Sequence, residues 1–233
     1  MYAVPHVRGP YGLAYNTAKV KEAPTSWNIL WEPKYKGQYT LGKDAYVHNV
    51  SIAALASGIS EENMNNYKMV NNPDVKTKLN QLAANSAPMW EGVDTPEKLK
   101  GLSLAIVWGF SFPALAELGQ IWKIAEPKEG TTGWVDNFMI SHTLENKPKL
   151  KMIAEEWLNY TLSDAYQLYD VRGLACAPVT TTIKSKLTPE EITAFNLDDP
   201  KHFQNNRILW KILEKKDRKG LERLWSNVLK SAK

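Results

Sequence analysis

Leu102–Trp108 reads LSLAIVW, an apolar run interrupted only by Ser103. Such a run reads as a central parallel strand buried on both faces. Around it, short apolar runs alternate with segments of helical spacing. Upstream, Tyr11–Tyr15 (YGLAY) reads as a strand, Ser26–Gly37 as a Trp-rich helical turn and loop, and Gln38–Leu41 as a short strand. A helix follows from about Asp44 to Ser57, with Val47, Val50, Ala54 and Leu55 on one side, and a second covers Pro73–Ser86. Downstream come a short helix (Ser111–Leu118), a strand (Ile121–Ala125), an extended run around Trp134, and helices near Lys147–Thr161 and Ser163–Val171. Strands alternating with helices predict an α/β fold.

The chain of 233 residues, 43% hydrophobic and 23% charged, can bury a substantial core as one large domain or two small ones. Nine Trp and ten Tyr suit either core packing or a site that grips by stacking. The single cysteine, Cys176, excludes an intrachain disulfide, and its apolar context GLACAPV predicts a buried, inert thiol. His6, His48, His142 and His202 lack metal-ligand spacing, so neither a metal site nor a cofactor is expected.

The net charge of +4 is unevenly placed. Lys201–Lys233 holds ten Lys or Arg against three Asp or Glu, so the other 200 residues carry +4 less 7, or −3. In that tail Ile208, Ile212, Leu213, Leu221, Leu224, Trp225, Val228 and Leu229 recur at helical spacing. They predict an amphipathic helix pair with a solvated basic face. No nucleic-acid recognition motif accompanies the charge, and nucleic acid is not an expected partner. No run of about twenty apolar residues exists to span a membrane. MYAVPHVRGP lacks the basic start and apolar stretch of a signal peptide, so either the protein is cytosolic or this chain is part of a longer one.

No nucleophile elbow, phosphate loop, dinucleotide fingerprint or zinc motif is present. The binding signals are better. In Pro127–Ser141, PKEGTTGWVDNFMIS, Trp134 and Asp136 are two apart on an extended run and therefore share a face. An aromatic wall beside a carboxylate suits an organic ammonium ion, through cation–π attraction and a charge-assisted hydrogen bond. The same face can equally be core. Asp44 follows a strand end and is read either as a helix N-cap or first-turn acid, or as a ligand carboxylate at a strand's carboxyl end. Trp108 ends the buried run and precedes Gly109, where the chain can turn into a loop.

These segments resemble the spermidine/putrescine-binding group of bacterial extracellular solute-binding proteins, the receptors of polyamine ABC transporters. The matching pieces are VPHVRGPYGLAYN (Val4–Asn16), TSWNILWEPKYKG (Thr25–Gly37), KDAYVHNVSIAALASG (Lys43–Gly58), AIVWGFS (Ala105–Ser111), Pro127–Ser141, and LERLWSNVLK (Leu221–Lys230). The resemblance implies a type II periplasmic-binding-protein-like α/β fold with one nearly complete lobe and a partial second lobe. Residues 6–132 with part of 182–233 would form the second lobe of the family, and 133–181 the remainder of its first. The N-terminal portion of that first lobe would be absent.

By the same resemblance Asp44, Trp108, Trp134 and Asp136 would bind an amine ligand such as putrescine or spermidine, without catalysis. The partner would be a membrane ABC-transporter permease, and the location periplasmic or membrane-attached outside the cytoplasm. Two departures stand out: Val47 replaces the second acid of a family Asp-x-x-Glu pair, and Leu174 replaces a Tyr that follows the glycine matched by Gly173. Both favour a shorter diamine, a monoamine or another nitrogenous solute. Exposed apolar faces of an incomplete lobe would favour association with another chain, a dimer included. Two alternatives stay open: a receptor for an amino acid or other anionic or zwitterionic solute held by Arg8 and Arg172, and an α/β enzyme using Asp44 or Asp136 as general base.

Overall fold

A computed structural model of the protein describes residues 3–199 and 201–231. Its elements are, in chain order, β1 (Ala3–Asn16), β2 (Tyr39–Thr40), α1 (Tyr46–Ala56), α2 (Tyr67–Val70), α3 (Pro73–Ala84), α4 (Pro96–Leu99), β3 (Leu104–Val107), α5 (Phe112–Glu117), β4 (Trp122–Ile124) and β5 (Thr131–Met139). They continue with α6 (Pro148–Thr161), α7 (Asp164–Leu174), α8 (Pro189–Ala194), α9 (His202–Asn206), β6 (Arg207–Leu209) and α10 (Lys215–Ser231). No helix among the described residues is long and apolar enough to cross a membrane.

All six strands form one mixed sheet in the order β2-β3-β1-β5-β6, with β4 also on β1. The backbone of the sheet is β1. Its C-terminal half carries β3 (Gly12 opposite Val107) and β4 (Ala14 opposite Ile124), and its N-terminal half carries β5 (Gly9 opposite Trp134). Sequence reading placed a strand only at Tyr11–Tyr15, whereas β1 continues upstream through Pro10, Gly9 and Pro5. A register shift between Pro5 and Val7 absorbs one of them.

The expected central parallel strand is corrected in direction. All four residues of β3 are buried, but it runs antiparallel to β1 and parallel only to β2. A continuous apolar pattern reports burial on two faces; it carries no information on the polarity of the neighbours.

The basic tail is also corrected. Ile208 lies on β6, which pairs in parallel with Thr131–Gly133 of β5, and Ile212 is fully solvent-exposed. Three extended residues suffice to close a ladder, and their spacing mimics a helical one. The C-terminal half of the tail is helical as expected: α10 buries Leu221, Leu224, Trp225 and Val228. It packs on α1, α2 and α3, and Trp225 Nε1 donates to the Lys43 carbonyl at 2.6 Å.

The large core gathers side chains from Tyr11 to Ala125 and from α10. Two small clusters lie apart from it: Val7, Trp134 and Cys176 in one, Val171, Ile183 and Leu187 in the other.

Candidate functional site

One acid builds the loop after β3. Asp94 is 3% exposed. It accepts hydrogen bonds from the backbone N–H groups of Trp108 (2.9 Å), Gly109 (3.3 Å) and Ser111 (3.0 Å), and from the Ser111 hydroxyl (2.6 Å). Gly109 sits at φ +98°, where a Cβ is strained, so the chain can reverse there only with glycine. This loop holds Trp108 at the end of its strand.

Trp108 is the hub of an aromatic row. Its ring centroid lies 4.5 Å from Tyr11, 5.8 Å from His48, 6.5 Å from Trp134 and 5.5 Å from Trp210, in tilted or edge-on geometry. Tyr11 is fixed from below: its hydroxyl accepts from Gly42 N–H at 3.1 Å and donates to Asn49 Oδ1 at 3.3 Å. Burial, with a contribution from Asp94 and Asp44, raises the Tyr11 pKa far enough that the phenol stays neutral.

Trp134 stands opposite Gly9, and a Cβ there would come within 2.7 Å of the indole. The ring therefore lies flat on the β1 backbone, with Nε1 donating to the Pro10 carbonyl at 3.1 Å. Val7, Cys176, Trp108 and Phe110 cover it, and it is only 5% exposed. Most of the ring is thus core.

Asp136, on the same face of β5, is accessible to solvent. Neighbouring side chains still strip part of its hydration, which raises its carboxyl above the ordinary range, with His6 opposing the shift. Asp170 of α7 is buried and raised for the same reason, and its carboxylate lies 3.8 Å from His6 Nδ1. The Cys176 thiol, buried and near Asp170 and Asp136, is pushed up to about 12 and is inert.

His48 stacks on Trp210 at 4.0 Å with a 20° interplanar angle. Burial pushes its pKa from 6.5 down to about 3, and its Nδ1 has no hydrogen-bond partner. A depressed histidine pKa stabilises the fold fully above about pH 6.5, and that contribution fades as pH falls toward 3. The unfolding free energy is therefore expected to fall between pH 6.5 and 4, by about 3 kcal/mol from this group. In His48→Phe the acid limb should flatten; an identical pH profile by thermal melting would remove His48 as its cause.

A cavity of about 270 Å³ opens between α1, β5 and the stretch preceding α10, with His48, Thr132 and Trp210 among its walls. A larger hollow of about 470 Å³ lies among the loops at 19–35 and contains none of the residues above. Among the described residues no cluster of three or more His, Cys, Asp or Glu is arranged to hold a metal.

Residues 2–199 match the family model described as bacterial extracellular solute-binding protein. The chain belongs to that family. A similar relative is the Haemophilus influenzae spermidine/putrescine-binding periplasmic protein 1, 27% identical over 214 residues, 89% of this chain and 55% of that protein. Among solved structures, the spermidine/putrescine ABC transporter substrate-binding protein PotD of Streptococcus pneumoniae superposes with a TM-score of 0.75 at 20% identity. That match covers 100% of this chain and 70% of the other. The Atu4243 GABA receptor superposes at 0.71 with 18% identity, over 97% of this chain and 68% of its own. The structural likenesses establish the mixed α/β, type II periplasmic-binding-protein fold. The chain spans about half the length of the curated relative, and these relatives are named as solute receptors, not as enzymes.

Within this solute-binding fold, the structure brings Trp108 and Trp134 into contact and puts Asp136 on the same strand face as Trp134. Asp44 lies in the turn before α1, near enough to Tyr11 to contribute to the raised pKa of that phenol. The helix after it starts at Tyr46 with Ala45 as its N-cap and no acid in its first turn, so Asp44 caps nothing. Its exposed carboxylate instead accepts from Gly92 N–H at 3.0 Å. The strand end feeds a turn before the helix, which carries the acid off the axis. Arg8 and Arg172 do not converge either. Arg172 is bidentate to Glu191 at 2.7 and 3.3 Å on the surface. Arg8 lies opposite Val135, on the other face from Trp134, with its guanidinium 4.8 Å from the Phe203 ring. Tyr11, His48, Asp94 and Trp210 were missed. No local signal marked them; each is placed by contacts remote in the chain.

Proposed function

We propose that this chain is the solute-capturing component of an ABC transporter, and that it holds an organic ammonium group of a small solute at Asp136, beside the Trp134–Trp108 pair. The observation that carries the reading is the acid and the two indoles on one side of the strand pair, in a chain of the solute-binding family. Aromatic faces and a partly desolvated carboxylate favour a cation together. Putrescine and spermidine, named for the Haemophilus relative, are the reference ligands.

In this reading residues 6–132 with α10 form one lobe and 133–181 belong to the other. The large core draws on residues of the first of these spans and α10 alone, and β5 runs across the boundary as a hinge would. The partner is a membrane permease, the setting extracytoplasmic, and capture proceeds without catalysis. The exposed apolar side chains of α6, Leu150, Met152, Ile153 and Trp157, favour association with further polypeptide. Isothermal titration with putrescine, spermidine and a panel of amino acids tests the reading. Asp136→Ala should abolish binding of every amine-bearing ligand, and unchanged affinity would remove Asp136 from the site.

A further inference from the structure

The segment joining β6 to α10 carries apolar side chains outward. Leu209 is 45%, Trp210 42% and Ile212 102% exposed. The segment is nevertheless held in place. Ile208 before it and Leu213 after it pack against the large core. Trp210 N–H donates to the Gly133 carbonyl at 3.1 Å, and its indole stacks on His48. One exposed isoleucine is ordinary. Three exposed apolar side chains within four residues, on an anchored segment, make a tip.

Positive charge adjoins this tip. Lys211 lies within it, and Lys215, Lys216, Arg218 and Lys219 open α10, all of them exposed. Lys216 pairs with Glu214 at 2.8 Å, and Asp217 turns to the Tyr67 N–H at 2.9 Å. Among the described residues Lys211, Lys215, Arg218 and Lys219 are paired with no carboxylate. The arrangement works against the helix. A helix start favours acids and disfavours cations. Lys215 with Lys219, and Lys219 with Arg223, are also like-charge pairs at i,i+4. These cations contribute nothing to the fold, and their use lies outside it.

We infer that the tip and the first turns of α10 form a docking surface for an anionic phospholipid bilayer. Ile212, Leu209 and the exposed part of Trp210 enter the headgroup region, and Lys211, Lys215, Arg218 and Lys219 meet lipid phosphates. A bilayer supplies both things the patch calls for, an apolar layer directly beneath a sheet of negative charge. The residues outside Lys201–Lys233 sum to −3, so the attraction acts at this end of the molecule and orients it. The contact lies on the membrane surface, since no helix among the described residues is long and apolar enough to cross. An acidic protein surface would satisfy the cations without requiring the apolar tip. Because Trp210 also contacts Trp108, docking turns that end of the aromatic row toward the bilayer. The inference goes beyond the solute assignment and does not depend on it.

The test is cosedimentation of the whole chain, without solute, with vesicles of phosphatidylcholine alone and of phosphatidylcholine mixed equally with phosphatidylglycerol. Binding is expected only to the anionic vesicles and should weaken as salt rises. The Lys215→Gln, Lys219→Gln double variant should lose about 25-fold in affinity, at about fivefold for each charge near an anionic leaflet. Ile212→Ser should lose at least about tenfold, because its side chain no longer leaves water; a purely electrostatic contact would not feel that change. All three positions are exposed, and circular dichroism checks that the variants fold. Equal binding to both kinds of vesicle, or variants that bind as the wild type does, overturns the inference. So does the absence of binding to anionic vesicles, which would leave the cations to an acidic protein partner.

Discussion

Gly220→Ala will destabilise the protein, against the ordinary rule for a helix interior. Alanine in a helix is favoured over glycine by about 1 kcal/mol, and α10 is otherwise well formed over 17 residues. Here, however, a Cβ at position 220 would lie 2.3 Å from Cγ and Cδ2 of Tyr67 and 2.9 Å from its Cβ. Rotation about χ1 moves Cγ and Cδ2 but not Cβ, whose 2.9 Å contact no rotamer relieves, so the backbone of α2 or α10 must shift as well. Overpacking of this kind costs about 1–3 kcal/mol, and displacing α10 also exposes part of Leu221, Leu224, Trp225 and Val228. The expected net loss is about 2–4 kcal/mol in urea unfolding. Gly220→Ala at or above wild-type stability would mean that the α2–α10 contact yields freely. Because Trp225 anchors the Lys43 carbonyl, the loop leading into α1 should loosen along with the helix.

Asp94→Ala is the second large effect. The carboxylate accepts four hydrogen bonds, three from backbone N–H groups, at a site 3% exposed. Alanine leaves those donors without a partner where water reaches poorly, and each such orphan costs about 1–3 kcal/mol. Relaxation of the loop and entry of water recover part of this, leaving an expected loss of about 3–5 kcal/mol. Asp94→Asn should also be harmed, since its amide NH2 turns donors toward donors. The informative readout pairs denaturant unfolding with Trp fluorescence, because Trp108 loses its tether and its contacts with Tyr11, Trp134 and Trp210. A native-like emission spectrum together with an unchanged midpoint would show that Gly109 and Ser111 hold the turn without the acid.

Much of the fold could be read locally. The burial of Leu104–Val107, the helices α1, α3, α6 and α7, the apolar stripe of α10 and the common face of Trp134 and Asp136 all follow from side-chain period, which a chain displays within a few residues. The polarity of β3, the length of β1 and the strand β6 did not, because each depends on a ladder partner chosen elsewhere. Arg207–Leu209 becomes a strand only because Thr131–Gly133 offers an edge.

The site divides along the same line. Sequence alone determined which chemical groups are available: an acid two residues from an indole, a Trp ahead of a glycine, a basic C-terminal segment, one inert thiol. Tertiary structure alone decided which of them meet. It seated Trp134 on Gly9, sent Asp44 to Gly92 and Arg172 to Glu191, and set Asp94 under the Trp108 loop. It also placed Lys211 and Arg218 in the walls of the cavity that His48 and Trp210 line. Period and propensity act over one or two turns of chain, whereas a hydrogen bond or a stacked ring requires only that two groups be close in space. The arrangement of charges around the cleft is therefore a property of the folded molecule.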